Sequence, residues 1–544
     1  MSFSESRWRQ IAGMAITGCV GLGHAQAAPL GLRVEVESGI LEGVPVTSDS
    51  IRAFKGIPYA APPVGNLRWR APQPPPLWNG VRDAAKFGDS CLTAWRDDPA
   101  ARLPRSEDCL TLNVWSGAGD ATERRPVMVW LHGGGFQFGT SASPQFEGTP
   151  LARKGVVIVS LNYRLGVMGF LAHPALDREG PSGDYGLQDQ LAALHWVKRN
   201  IARFGGDPAN VTLFGESAGA HAVGILMASP LSQGLFDKAI GQSGAWWDGP
   251  AGALENRKEA HARGSAFVQR LAAGSIDTLR AMPAEKVNVA ALWDFSSNPA
   301  ETAFSPNIDG FVVPEAPASR FSKGRQMRIP LLAGWVQDEG YPFDALGLPH
   351  RSAAEFRQAA EAMFGKACLE AFLKLYPAAT DEQANASARA FTGDVVIGEQ
   401  VWQWLQLQRH TGSPAYGYKF TYTSPYTPVA AHITDVSFVF GTLIPQFILN
   451  SRTPAGPVDR AFSDRVMSYW VNFAAHGNPN GPGVAPWPRF DASDTVQDLG
   501  QTIGPRPNDQ AARFRFIGAT RKGGLLPVRW RNTPIHKIKG SATP

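Results

Sequence analysis

Continuous runs of apolar residues mark candidate strands along the chain. Residues 127–131, 156–161 and 211–214 are apolar at nearly every position, and glycines or Asn162 follow closely. Residues 329–333 and 416–422 are later candidates. Because both faces of such a run are apolar, the pattern is typical of parallel strands buried within a sheet.

Helical periodicity fills the stretches between these runs. Apolar residues recur at helical spacing in two sets: Leu187, Leu191, Leu194 and Ile201, and Met467, Trp470 and Ala474. The alternation of strands and helices predicts the α/β class, with a large, mostly parallel mixed sheet flanked by helices on both faces. Residues 32–43 predict an antiparallel hairpin ahead of this core. Residues of roughly 245–325 and 345–410 predict helical insertions over the functional site.

The composition favours one large globular unit. The chain has 544 residues, of which 44% are hydrophobic and 18% charged, a balance that can bury a sizeable core. No repeat or linker separates two units, so residues 28–544 are expected to form one domain. The net charge of +5 at pH 7 is small, and no basic run stands out, which argues against nucleic acid as a partner.

The first 27 residues have the pattern of a signal peptide. Basic residues come first, residues 11–22 are mostly apolar, and residues 25–27 match the small-residue cleavage pattern. We therefore expect cleavage after Ala27 and export to the periplasm or the medium. A lipobox ending at Cys19, which would anchor the chain as a lipoprotein, is the alternative. No later run is long and apolar enough to predict a transmembrane anchor.

Cysteine usage adds one structural expectation. Cleavage after Ala27 would leave Cys91, Cys109 and Cys368. The first two are close in sequence within a loop-rich stretch, and export permits disulfides. Cys91 and Cys109 are therefore predicted to form a bridge.

The sharpest chemical signal is the Gly-x-Ser-x-Gly pattern at residues 215–219. It directly follows a predicted strand and directly precedes a helical stretch, which is the context of a nucleophile elbow. Ser217 is the predicted nucleophile. An ordinary glycine-rich turn between strand and helix is the alternative.

A nucleophilic serine needs donors for the oxyanion that forms when it attacks a carbonyl. His132 and three glycines follow the predicted strand at 127–131, and glycines allow backbone N–H groups to point at the developing charge. We expect the donors to be the N–H groups of Gly134, Gly135 and Ala218. A phosphate-binding loop is disfavoured because the Lys-Ser/Thr ending is missing.

The general base and its acid should follow the serine in the order acid, then histidine. Asp338 and Glu339 stand side by side after the predicted strand at 329–333, and position alone allows either. Five histidines follow them: His350, His410, His432, His476 and His536. His432 follows a strand through a Pro-containing loop, which suits a base, whereas His476 in a His-Gly-Asn-Pro turn suits a structural role; spacing alone does not decide.

Further motifs resemble those of one enzyme family. They are Phe-Lys-Gly-Ile-Pro-Tyr-Ala at 54–60, Pro-Pro-Val-Gly at 62–65, Ser-Glu-Asp-Cys-Leu-Thr-Leu-Asn-Val at 106–114, Asn-Tyr-Arg at 162–164, Gly-Leu-Gln-Asp-Gln at 186–190 and Phe-Gly-Gly-Asp-Pro at 204–208. With these motifs the chain, from about residue 32 to 530, resembles the type-B carboxylesterases, which include the cholinesterases. The resemblance implies an α/β-hydrolase fold and hydrolysis of small carboxylic esters through an acyl-enzyme.

The resemblance also implies roles for individual residues. Ser217 would be the nucleophile, Glu339 the acid and His432 the base, while Glu216 and Asp435 would lie near this triad. The bridge between Cys91 and Cys109 would correspond to the first disulfide of the family.

One departure from the family pattern is Asp184, which stands where the family usually has Asn. No metal or organic cofactor is expected, and the oligomeric state is left open. Two other functions are weighed: a non-catalytic adhesion module, disfavoured because all three triad candidates are present, and a lipase acting at oil–water interfaces.

Overall fold

The computed structural model describes residues 30–46, 50–93, 104–245, 254–292, 304–341, 348, 352–445, 449 and 451–522. The predicted signal peptide, residues 1–27, lies outside these residues, and so does Cys19 of the lipobox alternative.

The strands are numbered in chain order. They are β1 (Arg33–Val36), β2 (Gly39–Glu42), β3 (Val44–Pro45), β4 (Arg52–Pro58), β5 (Val81–Asp83), β6 (Ser90–Cys91), β7 (Arg105–Ser106), β8 (Thr111–Ser116), β9 (Arg125–Leu131), β10 (Val157–Leu161), β11 (Gly206–Glu216), β12 (Lys238–Gln242), β13 (Glu255–Asn256), β14 (Asn307–Ile308), β15 (Leu331–Val336), β16 (Ala415–Phe420), β17 (Thr495–Leu499) and β18 (Gly504–Pro507).

Eleven of these strands form the main sheet of the described residues, in the order β18-β17-β16-β15-β12-β11-β9-β10-β8-β4-β3. All neighbours from β17 to β10 are parallel. β18 at one end and β8, β4 and β3 at the other pair antiparallel. The prediction of a large, mostly parallel mixed sheet is therefore confirmed.

The continuous apolar runs lie in the middle of this sheet, in β9, β10, β11, β15 and β16. In β9, Val127, Val129 and Leu131 belong to one hydrophobic core, and Met128 and Trp130 belong to a second core. Successive side chains of a strand point to opposite faces, so a strand that is buried on both faces is typically rich in apolar residues throughout.

Helices cover both faces of the sheet. They are Thr149–Arg153, Gly166–Phe170, Tyr185–Asn200, Ala218–Ala228, Arg257–Arg270, Ile276–Ala281, Ala284–Val289, Pro317–Ser322, Ala353–Phe364, Lys366–Leu375, Asp381–Gly393, Glu399–Arg409, Thr434–Phe440, Pro457–His476 and Ala511–Lys522, with a π-helix at Asp394–Gly398 and 3₁₀ turns at Gly65–Leu67, Pro144–Phe146, Leu176–Arg178, Ile201–Phe204 and Pro230–Ser232.

The two hydrophobic cores divide these helices between the faces. Tyr185–Asn200 and Ala218–Ala228 contribute to the core that contains Val127, whereas Pro457–His476 contributes to the core that contains Met128. No helix among the described residues is long and apolar enough to cross a membrane.

Two N-terminal expectations are met, one with a difference. Residues 32–43 contain the predicted antiparallel hairpin of β1 and β2, but β2 also pairs with β5, so the hairpin is part of a separate three-stranded sheet. Cys91 and Cys109 form the predicted disulfide, with their Cα atoms 5.0 Å apart.

Candidate active site

Ser217 stands at the junction of β11 and the helix Ala218–Ala228. Its φ of 52° and ψ of −122° lie outside the regions that residues with a side chain ordinarily occupy, which marks a strained backbone. The glycines of the motif make the tight turn possible. A Cβ at Gly219 would collide with the carbonyl oxygen of Leu131, and a Cβ at Gly215 would come 2.5 Å from the backbone of Gly219.

Ala218 is the first residue of the helix that follows Ser217, and it is fully buried. The first four N–H groups of an α-helix have no partner within the helix, and this end of the helix carries a partial positive charge. The Ala218 N–H therefore lies next to Ser217 as a donor suited to an anion.

The glycine-rich loop follows β9 and packs against the serine turn. A Cβ at Gly133 would lie 3.1 Å from the Cβ of Ser217, so the two backbones are in direct contact. Gly134 and Gly135 have φ of 105° and 61°, a left-handed range that favours glycine. A Cβ at Gly135 would meet no atom within 4 Å. The loop thus presents open space at Gly135 beside a crowded contact at Gly133.

His132 at the start of this loop is buried and held by its neighbours. Its ring stacks on Tyr163 with 4.5 Å between centroids, and the Tyr163 hydroxyl donates to the His132 carbonyl over 2.8 Å. Burial lowers the pKa of His132 to about 4, so this ring is neutral near pH 7. These contacts fix the direction in which the chain leaves β9 and enters the glycine loop.

Glu339 and His432 form a buried pair. Nδ1 of His432 lies 2.6 Å from Oε2 of Glu339, and both residues are less than a tenth exposed. The other carboxylate oxygen of Glu339 accepts the N–H of Val336 over 2.9 Å, which holds the carboxylate against the end of β15. Of the two adjacent acids, Glu339 is therefore the one that faces His432.

Asp338 points elsewhere. Its Oδ2 lies 3.2 Å from Nε of Arg389, and its backbone N–H donates to the carbonyl of Ala430 over 2.9 Å. Asp338 also forms an isolated parallel bridge with Ala431. Asp338 therefore joins the loop that carries Glu339, residues 337–341, to the loop that carries His432.

Glu216 brings a second carboxylate to the histidine. Its Oε1 lies 3.1 Å from Nε2 of His432, and Glu216 is the residue immediately before Ser217, so this side of the ring is directed at the serine turn. Burial, together with Asp435 and Glu339, raises the pKa of Glu216, although His432 opposes the shift. Burial favours neutral His432, but the carboxylates of Glu216 and Glu339 outweigh that effect and raise its pKa.

Asp435 lies in a buried hydrogen-bond network around this group. Its Oδ2 accepts from the Tyr418 hydroxyl over 2.8 Å and from Nε2 of Gln242 over 3.0 Å. Gln242 in turn accepts from the indole N–H of Trp470 over 3.2 Å. Burial raises the pKa of Asp435. Sequence reasoning missed Gln242, the last residue of β12, and Tyr418, a residue within β16. Neither belongs to a motif that would mark it as a functional residue.

The other histidine candidates lie apart from this group or outside the described residues. His410 and His476 are exposed, and His476 is the last residue of the helix Pro457–His476, in line with its predicted structural role. His350 and His536 lie outside the described residues.

Asp184, the departure from the family pattern, is fully buried, and its Oδ1 accepts the N–H of Asn307 over 3.0 Å. Burial raises the pKa of Asp184 well above its ordinary value. Through this hydrogen bond to the first residue of β14, Asp184 links the start of the helix Tyr185–Asn200 to residues 245–325.

Several known proteins are similar to this chain in sequence, and a solved structure is similar to it in fold. Fumonisin B1 esterase of Sphingopyxis macrogoltabida is 37% identical over 482 residues, which cover 86% of each chain. Para-nitrobenzyl esterase of Bacillus subtilis is 36% identical over 475 residues, covering 84% of this chain and 92% of the relative. Liver carboxylesterase 1 of Oryctolagus cuniculus is 31% identical over 544 residues, covering 90% and 92%.

A solved structure of PNB esterase has a TM-score of 0.76 and 34% identity to this chain, covering 89% of this chain and 99% of the other. This likeness confirms the α/β-hydrolase fold. Residues 31–515 match the model of the family described as "Carboxylesterase family". The chain therefore belongs to the carboxylesterase family and is a carboxylic ester hydrolase.

Proposed function

We propose that the chain hydrolyses carboxylic esters through an acyl-enzyme on Ser217, with His432 as the general base and Glu339 as the acid that orients it. The observation that carries this proposal is the 2.6 Å contact between Oε2 of Glu339 and Nδ1 of His432. The other ring nitrogen, Nε2, lies on the side of the serine turn, 3.1 Å from Oε1 of Glu216. A serine hydrolase requires a nucleophile, a base that takes its proton and an acid that orients the base.

In the first half of the reaction, Nε2 of His432 takes the hydroxyl proton as the Ser217 oxygen attacks the ester carbonyl. The tetrahedral intermediate then collapses, and the charged imidazole gives its proton to the departing alcohol. In the second half, a water molecule gives a proton to His432 and attacks the acyl-enzyme. When this second tetrahedral intermediate collapses, His432 returns the proton to the Ser217 oxygen, which releases the carboxylic acid and restores the serine. Glu339 holds the imidazole in one orientation and stabilises its charged form.

The oxyanion of each tetrahedral intermediate would be held by the N–H groups of Gly134, Gly135 and Ala218. Support comes from the contact between the glycine loop and Ser217 and from the place of Ala218 at the helix start. Pre-oriented backbone donors of this kind stabilise the charge without reorganisation during the reaction.

Covalent labelling tests the nucleophile. A reactive organophosphonate should add one label per chain, and peptide mapping should find it on Ser217. Ser217→Ala should take no label and lose activity, whereas Ser232→Ala, which changes another buried serine, should keep both. Full labelling of Ser217→Ala would contradict the assignment. Activity should also survive metal chelators, since each step above uses only side chains and backbone groups of the chain.

We further propose that the substrates are soluble esters rather than emulsified lipids. The relatives named above suggest a first panel: a para-nitrobenzyl ester and fumonisin B1, with short-chain esters and an emulsified long-chain triglyceride alongside. Strong preference for the emulsion would favour a lipase instead.

We also propose that residues 1–27 direct export and that residues 28–544 form the mature single domain. The disulfide between Cys91 and Cys109 supports an oxidising compartment. N-terminal sequencing of the mature chain should begin at Ala28. A lipid-modified Cys19 at the N-terminus would favour the lipoprotein alternative.

A further inference from the structure

The loop that carries Glu339, residues 337–341 (the acid loop), is in contact with the helix Asp381–Gly393. A Cβ at Gly393, the last residue of the helix Asp381–Gly393, would lie 2.9 Å from the Cβ of Glu339. A Cβ at Gly340 would collide with the carbonyl oxygen of Arg389. No side chain separates these backbones, so the end of the helix sets the place of Glu339.

One ion pair joins this helix to the acid loop. Nε of Arg389 lies 3.2 Å from Oδ2 of Asp338, the neighbour of Glu339. The backbone of Asp338 is in turn bonded to the loop before His432, through Ala430 and Ala431. Asp338 therefore contacts the helix Asp381–Gly393 through its side chain and the segment before His432 through its backbone.

The ion pair borders a polar cavity of about 190 Å³, whose lining includes Glu339, Arg389, Asp394 and Arg513. At about 30 Å³ for each water molecule, several waters fit in this space. The Arg389–Asp338 pair is a direct side-chain link between the helix and the acid loop at the border of this space. A π-helix, a rare element that often occurs at functional sites, begins directly after the helix at Asp394.

We infer that Arg389 is a positioning residue, which acts through Asp338 to hold Glu339 within hydrogen-bond reach of His432. The inference rests on the proposed function, because it presumes that Glu339 orients the base. Arg389 itself touches no reacting atom; it limits how far the acid loop can move away from the ring.

The variants Arg389→Met and Arg389→Lys test this role on the full chain. Arg389→Met should lower kcat about fivefold, the scale of a partly exposed ion pair, and leave KM within about twofold. When Glu339 is held less firmly, it stabilises the charged form of His432 less, and the pKa of His432 falls. The rise of kcat/KM with pH should therefore move to lower pH. Arg389→Lys keeps the positive charge and should restore most of kcat and the original pH profile.

Arg513→Met is the matched control. Arg513 lines the same cavity, but its ion pair, at 3.1 Å, is with Asp394 of the π-helix, so its loss should change neither kcat nor the pH profile. Active-site titration with the organophosphonate corrects each rate for the folded fraction. If Arg389→Met fails to fold, Asp338→Asn removes the same ion pair and should give the same changes.

Two outcomes would overturn the inference: wild-type kcat and pH profile in both Arg389→Met and Asp338→Asn, or an equal change in Arg513→Met. Glu339→Gln separates this failure from failure of the proposed function. If Glu339→Gln is inactive while the Arg389 and Asp338 variants are unchanged, only the positioning role fails. If Glu339→Gln is fully active, the proposed function fails as well.

Discussion

Oε1 of Glu216 lies 3.1 Å from Nε2 of His432, on the nitrogen opposite to the one that meets Glu339. The imidazole therefore has a buried carboxylate at each end. Such an arrangement favours the charged ring, whereas a general base must be neutral to accept a proton. The position of Glu216 next to Ser217 thus has a direct consequence for the pH dependence of the reaction.

The first prediction concerns that pH dependence. Because Glu216 and Glu339 raise the pKa of His432, kcat/KM should rise with pH and reach half its maximum above 6.5, the ordinary pKa of histidine. Glu216→Gln removes one of the two charges, so the pKa of His432 falls, the neutral form exists at lower pH, and the whole rise moves to lower pH. A pH profile of kcat/KM on one soluble ester measures both.

Asp435→Asn is the control for this prediction. Asp435 also raises the pKa of His432, but less than Glu216 does, so removing its charge should shift the profile in the same direction and by less. An unchanged profile in Glu216→Gln, or a larger shift in Asp435→Asn, would contradict the electrostatic assignment.

The second prediction separates the two adjacent acids. Glu339→Gln should lower kcat by about 10⁴-fold, the loss that an amide in place of the orienting acid causes in a related triad. Asp338→Asn should cost only about fivefold, because it breaks a partly exposed ion pair and leaves the Glu339 carboxylate on the ring. Both kcat and melting temperature should be measured on the same ester. A folded Asp338→Asn without turnover, beside an active Glu339→Gln, would reverse the assignment.

The strands of the main sheet differ in how well they could be predicted from the sequence. Most central strands could be predicted because burial on both faces favours continuous apolar runs, as at residues 127–131 of β9. The exception is β12, which was not predicted: all five of its residues are buried, but they include Lys238 and Gln242. β11 is longer than predicted because its first residues, Gly-Asp-Pro-Ala-Asn at 206–210, form no apolar run, and the register shifts between Gly206 and Val211. An apolar pattern cannot indicate such a strand start.

Some residues of the candidate site could be predicted from a local sequence motif, whereas others are recognised only in the folded chain. Ser217 and the glycines carry a local signal, because a tight turn and close backbone contact need particular residues at fixed spacing. Gln242 and Asp435 are 193 residues apart and meet only in the folded chain. Arg389 is an ordinary helix residue in the sequence, and only its distance to Asp338 indicates a role.

The third prediction concerns the disulfide. Cys91 and Cys109 are 18 residues apart in the chain, and both are buried. The double substitution Cys91→Ala and Cys109→Ala should lower the free energy of unfolding by about 3 kcal/mol, because the open chain gains conformational entropy when unfolded. Denaturation in urea measures the change, and Cys368→Ala, at the unpaired cysteine, should leave the midpoint unchanged. Free thiols at both positions in the exported protein would refute the bridge.

The last prediction tests the glycine loop through the size of one methyl group. In Gly133→Ala the new Cβ would come 2.5 Å from Oε2 of Glu216 and 3.1 Å from the Cβ of Ser217. Glu216 is buried and cannot move aside into solvent, so the loop must shift away from the serine. The proposed oxyanion donors at Gly134 and Gly135 would move with it. Loss of one such donor lowers kcat by about 10²- to 10³-fold, and we expect a loss of that order.

Gly135→Ala supplies the matched control within the same loop. Its methyl group would enter open space, and its N–H remains, but alanine at a φ of 61° strains the backbone by about 1–2 kcal/mol. Gly324→Ala places an alanine at nearly the same φ, 64°, also with open space around the Cβ. The two should lose similar stability, and Gly135→Ala should keep far more of kcat than Gly133→Ala. If Gly133→Ala retains wild-type kcat in folded protein, close contact between this loop and Ser217 is not required for catalysis.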